Sequence, residues 1–317
     1  MFENPDYIVI GSGSAGSTIA YRLGENPSHQ VLVLEFGGSD FSPFIQMPAA
    51  LSYPMNMPKF DWGYKAEPEP KLNGRSLVCP RGKVIGGSSS INGMIYVRGN
   101  PGDYHEWARS GATGWDYPDV LPYFQRMEKS HGGTSEFRGS HGPLHVTHGK
   151  RDNPLHEAFV SAAQQAGYER TEDYNGYRQE GFGPADMTVY NGSRFSTAKA
   201  YLKPALAKKN VKLVTRALVD KIIFEGKKAV GVEFFHQGQK KIIKVKKDVI
   251  LSAGSINSPA ILQRSGIGNA DHLKNLGIEV RSHLPGVGEN LQDHLEVYFQ
   301  VKCLQPITLY KLSLIHI

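Results

Sequence analysis

The chain has 317 residues, enough to bury a large core as one big domain or two smaller ones. Apolar content is 40%, as in an ordinary globular protein, and two cysteines, Cys79 and Cys303, make neither a disulfide framework nor a C-x-x-C metal site, so a reducing compartment is expected. The formal net charge is +6; part of the excess lies in residues 227–247, whose seven lysines lack interleaved stacking aromatics and read as a solvated β face rather than a nucleic-acid surface.

No basic segment followed by an apolar run opens the chain, so no signal peptide is expected, and no apolar stretch approaches the length of a membrane span. Tyr7-Ile8-Val9-Ile10 reads as a buried parallel strand. It runs into Gly11-Ser12-Gly13-Ser14-Ala15-Gly16, a G-x-G-x-x-G, and then into an apolar stripe at helical spacing, Ser17 to Leu23. A second apolar run, Val31 to Leu34, ends in the acid Glu35. Strand, tight turn, helix, strand and acid together are the dinucleotide fingerprint in its required context. Gly11 permits the turn, Gly13 lets backbone approach a pyrophosphate, and Gly16 lets the helix pack on the strand. The free N–H groups of the helix start then face the phosphates. Glu35 is placed to accept hydrogen bonds from the adenosine ribose, and its charge disfavours a 2′-phosphate. FAD and NAD remain equally compatible with this pattern.

Residues 38–80 hold seven prolines and no sustained period. Phe60, Trp62 and Tyr64 would be costly to leave in water, so this long segment reads as an ordered cover over the ligand. Residues 80–96 then alternate small residues with short apolar pieces, which lets backbone lie flat against something planar or anionic. Tyr104 to Trp107 and Pro118 to Lys129 read as helices, followed by a turn region over 132–142. His141, His145 and His148 cluster there without acid or cysteine partners at ligating spacing, so solvated surface is favoured and no metal is assigned.

Asn153-Pro154 caps a helix with Leu155, Phe159, Ala162, Ala163 and Ala166 inward and Gly167 as the stop. Ser196 opens another helix to about Leu206. A β meander is expected over 211–215, 218–224, 229–235 and 240–245. Asp248 to Leu251 is a strand expected to join the parallel sheet begun by Tyr7 to Ile10, followed by a helix capped by Ser258 with Pro259 at its first position.

Residues 80–96 and 254–268 resemble the two signatures of the glucose–methanol–choline family of flavin alcohol oxidoreductases. Glu67-Pro68-Glu69-Pro70 and Pro285-Gly286-Val287-Gly288-Glu289-Asn290-Leu291-Gln292-Asp293-His294 add to the likeness. Asn175-Gly176-Tyr177 and Glu180-Gly181-Phe182-Gly183-Pro184 are nearest to its choline-oxidising members, and the similarity runs to about Tyr310. The resemblance implies an α/β fold, an FAD-binding Rossmann-like parallel sheet with a β meander, plus part of an α+β substrate domain. The FAD-binding domain would take 1–298, discontinuous, with 38–80 as covering loop and 150–195 as a substrate-side insertion; 299–317 would start the substrate domain.

The implied cofactor is FAD, held by Gly11, Ser12, Gly13, Ser14, Ala15, Gly16, Glu35, Val84, Gly87, Asn92, Gly93, Met94, Ile95, Val219 and Ala253. Val219 would meet the adenine through its backbone, although a plain core valine explains it equally. Asn92 to Ile95 would lie against the flavin, where N–H groups favour the anionic reduced ring. Some relatives attach the flavin through a histidine where this chain has Ile91, so the FAD is expected to be non-covalent.

The family passes hydride from an alcohol carbon to the flavin with help from a histidine in its C-terminal part. That part is expected beyond this chain, whose last seven residues, Lys311 to Ile317, resemble nothing in the family; no catalytic residue is assigned. Glu296 matches a glutamate that binds the trimethylammonium of choline, though a surface strand glutamate fits the position equally. The expected substrate is choline, oxidised to betaine aldehyde, with a respiratory-chain quinone as acceptor and no nucleic-acid partner. The compartment would be cytoplasmic or the inner-membrane surface by peripheral association, mitochondrial in a eukaryote. The rival readings are another aliphatic or aryl alcohol, a flavin-binding fragment without turnover, or an NAD-dependent dehydrogenase.

Overall fold

The structure, a computed structural model, describes residues 2–133, 135–150, 152–294, 296–297 and 301–308. Their packing divides into two units. The first comprises the described residues of 1–46, 50–92 and 196–296; the second takes those of 47–49, 93–195 and 297–317.

The first unit is built on β1 (Tyr7–Ile10), α1 (Ser14–Leu23), β2 (Val31–Leu34), β3 (Val211–Val214), β4 (Ala217–Glu225), β5 (Lys228–His236), β6 (Gln239–Lys244), β7 (Asp248–Leu251) and α2 (Gly254–Arg264). A four-stranded parallel sheet has the order β3-β2-β1-β7, with Ile8 opposite both Leu32 and Val249. Strand alternation divides its side chains between two cores. Ile8, Ile10, Leu32 and Leu34 pack against Val219, Val232 and Phe234 of the meander and Ile261 of α2. Val9, Val31 and Val33 face the other way, against Ala20 of α1 and Ala205. Both faces are thus covered, as a parallel sheet requires, and each buried Val, Leu or Ile side chain contributes about 1.5–3 kcal/mol.

Two expectations change here. Residues 211–214 are not a meander strand but the edge of the parallel sheet. Arg216, at φ 59°, turns the chain between β3 and the meander, which therefore has three antiparallel strands, β4-β5-β6. The helix expected after Ser258 begins at Gly254 and carries Pro259 inside it. Its φ of 84° lets Gly254 turn the chain straight out of β7 into that helix.

The cover segment is ordered by its own small core. Ile45, Phe60, Val84 and Ile91 are buried together. Phe60 is thus out of water, as expected, and Val84, which follows the segment, is buried with it.

In the second unit the described residues of 93–149 pack with those of the 150–195 stretch. It holds the helices Pro101–Arg109, Tyr117–Met127 and Pro154–Gln165, and a sheet of Glu128–Ser130, Leu144–His148 and Asp186–Met187. Asn153 caps the third helix, accepting from the Leu155 amide at 2.9 Å. Of the expected inward residues only Ala163 is buried; Phe159 is 65% exposed and packs edge-on against Phe182.

The interior of this unit is ionic. Arg138 donates to Glu128 at 2.9 Å, Asp173 at 2.7 Å and Asp186 at 2.8 Å. Arg98 lies 3.0 Å from Glu128. The surrounding carboxylates raise the Arg138 pKa against the opposing effect of burial. The histidines are not a solvated cluster: His148 pairs with Asp186 at 2.5 Å, and His145 contacts His131 at 2.9 Å and packs on Tyr190. Burial, then His131 and Lys129, lower the His145 pKa. Only His141 of the three stands in solvent.

Candidate functional site: a cleft at the carboxyl ends of the parallel strands

Three of the parallel strands, β1, β2 and β7, end at one cleft of about 800 Å³, and the start of β4 joins them. Its walls include Gly11, Gly13, Ser14 and Ala15 after β1, Glu35 and Phe36 after β2, Ala217 and Val219 of β4, and Ala253 and Gly254 after β7. Strand order reverses between β1 and β7, and open parallel sheets bind ligands at such a switch point.

Two helices start here without a side-chain cap. Gly13 precedes α1 and Ala253 precedes α2, and neither first turn holds an acid. Both sets of free N–H groups border the cleft, which makes it a place for anionic oxygens. The α1 start is held close by Gly16, where an added Cβ would sit 1.9 Å from the Gly11 carbonyl oxygen.

Glu35 is buried at the cleft wall. One carboxylate oxygen accepts from the Ser12 amide at 2.8 Å and the Ser12 hydroxyl at 2.9 Å; the other accepts from the Gly37 amide at 2.6 Å. Burial raises its pKa above the ordinary carboxylate value, and these hydrogen bonds oppose the rise. These three donors take three of the carboxylate's four acceptor sites, both of those on the oxygen facing Ser12, and leave one on the oxygen facing Gly37 for a hydroxyl donor in the cleft. Ser12 is itself fixed: its carbonyl accepts from Gly86 N at 2.9 Å and the Ser17 hydroxyl at 2.7 Å.

An aromatic wall completes the site. Phe36 stacks on Trp62 with centroids 4.9 Å apart, and Trp62 lies near-parallel to Tyr64 at 5.8 Å. The Tyr64 hydroxyl donates to Asn257 of α2 at 2.7 Å. Arg264 is held by Asp220 at 3.1 Å and borders the same cleft.

Of the residues expected to hold a cofactor, Gly11, Gly13, Ser14, Ala15, Glu35, Gly87, Val219 and Ala253 line this cleft. Ser12 and Gly16 stand behind it, one orienting Glu35 and the other seating α1. Val84 is fully buried in the cover's core, away from the lining. Asn92 ends the first unit, while Gly93, Met94 and Ile95 belong to the second, where the Met94 carbonyl accepts from the Thr188 amide at 2.8 Å. Glu296 is exposed, and its neighbour Leu295 lies outside the described residues, as do residues 309–317, which include Lys311 to Ile317. Sequence reading missed Asp220, Arg264 and the Tyr64–Asn257 bond. Partners this far apart in sequence leave no periodic signal.

Residues 5–296 match the GMC oxidoreductase family. The chain belongs to that family. It is 61% identical over 310 residues to an oxygen-dependent choline dehydrogenase of Brucella anthropi, covering 98% of this chain and 56% of that protein. A protein of the same name from Rhizobium etli is 56% identical over 305 residues, covering 96% and 55%. The chain thus spans about half the length of the curated relatives it matches. Among solved structures, a family-like fold is shared with pyridoxine 4-oxidase from Mesorbium loti, at TM-score 0.85 and 33% identity over 89% of this chain and 56% of that one. An FAD-dependent oxidoreductase from Chaetomium thermophilum gives TM-score 0.84 and 31% identity over 89% and 51%.

The residues present fit FAD, the family's cofactor. Uncapped helix starts suit its pyrophosphate and the buried carboxylate suits its ribose. Ile91, at the position of covalent attachment in some relatives, is a buried aliphatic side chain with no atom able to bond a flavin. Among the described residues, no helix is long and apolar enough to cross a membrane.

Proposed function

We propose that this chain is the FAD-binding part of an enzyme that oxidises choline to betaine aldehyde. The observation that carries the reading is 61% identity, along nearly the whole chain, to a protein named for that substrate. The dinucleotide cleft supports it from the side of the cofactor. When bound, FAD supplies the acceptor for the hydride that leaves the alcohol carbon.

The chain's own contribution is to bind and orient. The first turns of α1 and α2 offer N–H groups to the pyrophosphate, and Glu35 accepts from the ribose hydroxyls. The Val219 backbone would meet the adenine and Asn92 the flavin, and the resemblance assigns Gly93, Met94 and Ile95 to the cofactor as well. Glu296 attracts the trimethylammonium group, which has no hydrogen to donate and so is recognised by charge. No histidine lines the cleft, and none is given the proton-accepting role.

For the electron acceptor, the resemblance favours a respiratory-chain quinone, reached by peripheral membrane association, whereas the names of the curated relatives favour dioxygen. An oxygen electrode separates the two. Anaerobic mixing of the intact enzyme with choline should bleach the flavin band. Bleaching by simple primary alcohols but not by choline would leave the family intact and overturn the substrate.

A further inference from the structure

The segment bearing Trp62 and Tyr64 is anchored at its base and tied at its tip. At the base, Asp61 accepts from the Arg81 amide at 2.7 Å, the Trp62 amide donates to the Arg81 carbonyl at 3.0 Å, and the Lys83 amide donates to the Phe60 carbonyl at 2.7 Å. Tyr64 then pairs with Cys79 in a short antiparallel ladder. Between the two rings Gly63 has a φ of 72°, a conformation that favours glycine, and an added Cβ there would meet nothing within 4 Å.

At the tip, the Tyr64 hydroxyl reaches Asn257, 193 positions away in the first half of α2. Trp62 and Tyr64 border the cleft from one element, Asn257 and its neighbours Ser255 and Ser258 from another. α2 does not follow the strap freely: Ile261 is buried in the sheet–meander core and Arg264 is bound to Asp220. The bond therefore joins the aromatic strap to the opposite wall of the same cleft.

We propose that Tyr64 and Asn257 form a latch that gates FAD exchange, so that the strap must release Asn257 before the dinucleotide enters or leaves. This rests on the flavin reading above. A latch closed in the same way before and after binding slows entry and exit alike. A direct ligand contact would instead change exit alone. Tyr64→Phe keeps the stacked ring and removes only the hydroxyl.

The test uses stopped-flow rates for FAD uptake, from the quenching of its fluorescence, and for release, from the fluorescence recovered on dilution. Tyr64→Phe should speed both rates by about two- to tenfold, the range set by one neutral hydrogen bond, and leave Kd within about twofold. Asn257→Ala should do the same, and the double variant should add nothing further. Melting temperatures of the apo variants close to wild type would show that each is folded. Unchanged rates, a faster release alone, or multiplying effects in the double variant would overturn the latch while leaving flavin binding intact. A wild-type protein that takes up no FAD would overturn the flavin reading and the latch with it.

Discussion

Ser12 donates both its amide, at 2.8 Å, and its hydroxyl, at 2.9 Å, to a single oxygen of Glu35. Residue 12 thus aims the acid that closes the fingerprint 23 positions later. Ser12→Ala removes one of the two donors and leaves the amide. The expected result is a loss of about 1 kcal/mol in apo stability, with FAD affinity falling severalfold, read by titration calorimetry.

Glu35 should also make the protein pH-dependent. Its folded pKa is raised by burial above the ordinary glutamate value of about 4.5. A raised folded value means that the contribution to stability is complete below pH 4.5 and is lost as pH climbs through the higher folded value. The melting temperature of apo wild type relative to Glu35→Gln should therefore be most favourable at low pH and decline upward. Ribose hydroxyl donors favour the ionised form, so FAD affinity should rise across the same window. Calorimetry in buffers of different ionisation heat would detect the proton released on binding.

Gly16→Ala puts a methyl group 1.9 Å from the Gly11 carbonyl oxygen, a contact with backbone that no rotamer relieves. α1 must shift off β1. A loss of about 3 kcal/mol is expected, together with loss of flavin from the purified protein, seen as colour and as a lower urea midpoint.

In the second unit, Asp186→Asn leaves Arg138 facing an amide in a buried ionic interior and also unpairs His148. Removing one member of such a set costs about 3–5 kcal/mol. The solvent-exposed pair Arg170–Glu157 is the control: Glu157→Ala should leave the midpoint of the same denaturant titration close to wild type.

Glu296→Gln tests the substrate side. Kd for choline should rise about tenfold or more, while a neutral alcohol of the same length is bound as before. Equal effects on both would remove Glu296 from substrate recognition.

Local structure is legible in the sequence where chemistry and spacing coincide. The fingerprint Gly11 to Gly16, Glu35, the Asn153 cap and the strand Asp248–Leu251 in the parallel sheet all follow from short patterns. Register between distant segments was not legible. Val211–Val214 has the same composition as a meander strand, and only its partner Val31–Leu34 decides its sheet. Pro259 looked like a first-turn residue because the true start of that helix, Gly254, depends on a backbone angle rather than a cap. Phe159 looked like core because helical spacing shows which face is apolar, not what covers it.

The parallel sheet draws its strands from both ends of the first unit: β1 and β2 leave the ribosome early, while their outer neighbours β3 and β7 follow about 180 and 240 residues later. At roughly 5–20 residues per second of translation, the nascent central pair waits on the order of 10–50 s with both edges open. Such edges are templates for intermolecular pairing. Expression yield should thus depend on holding chaperones and on growth temperature far more than the stability of the finished sheet would suggest.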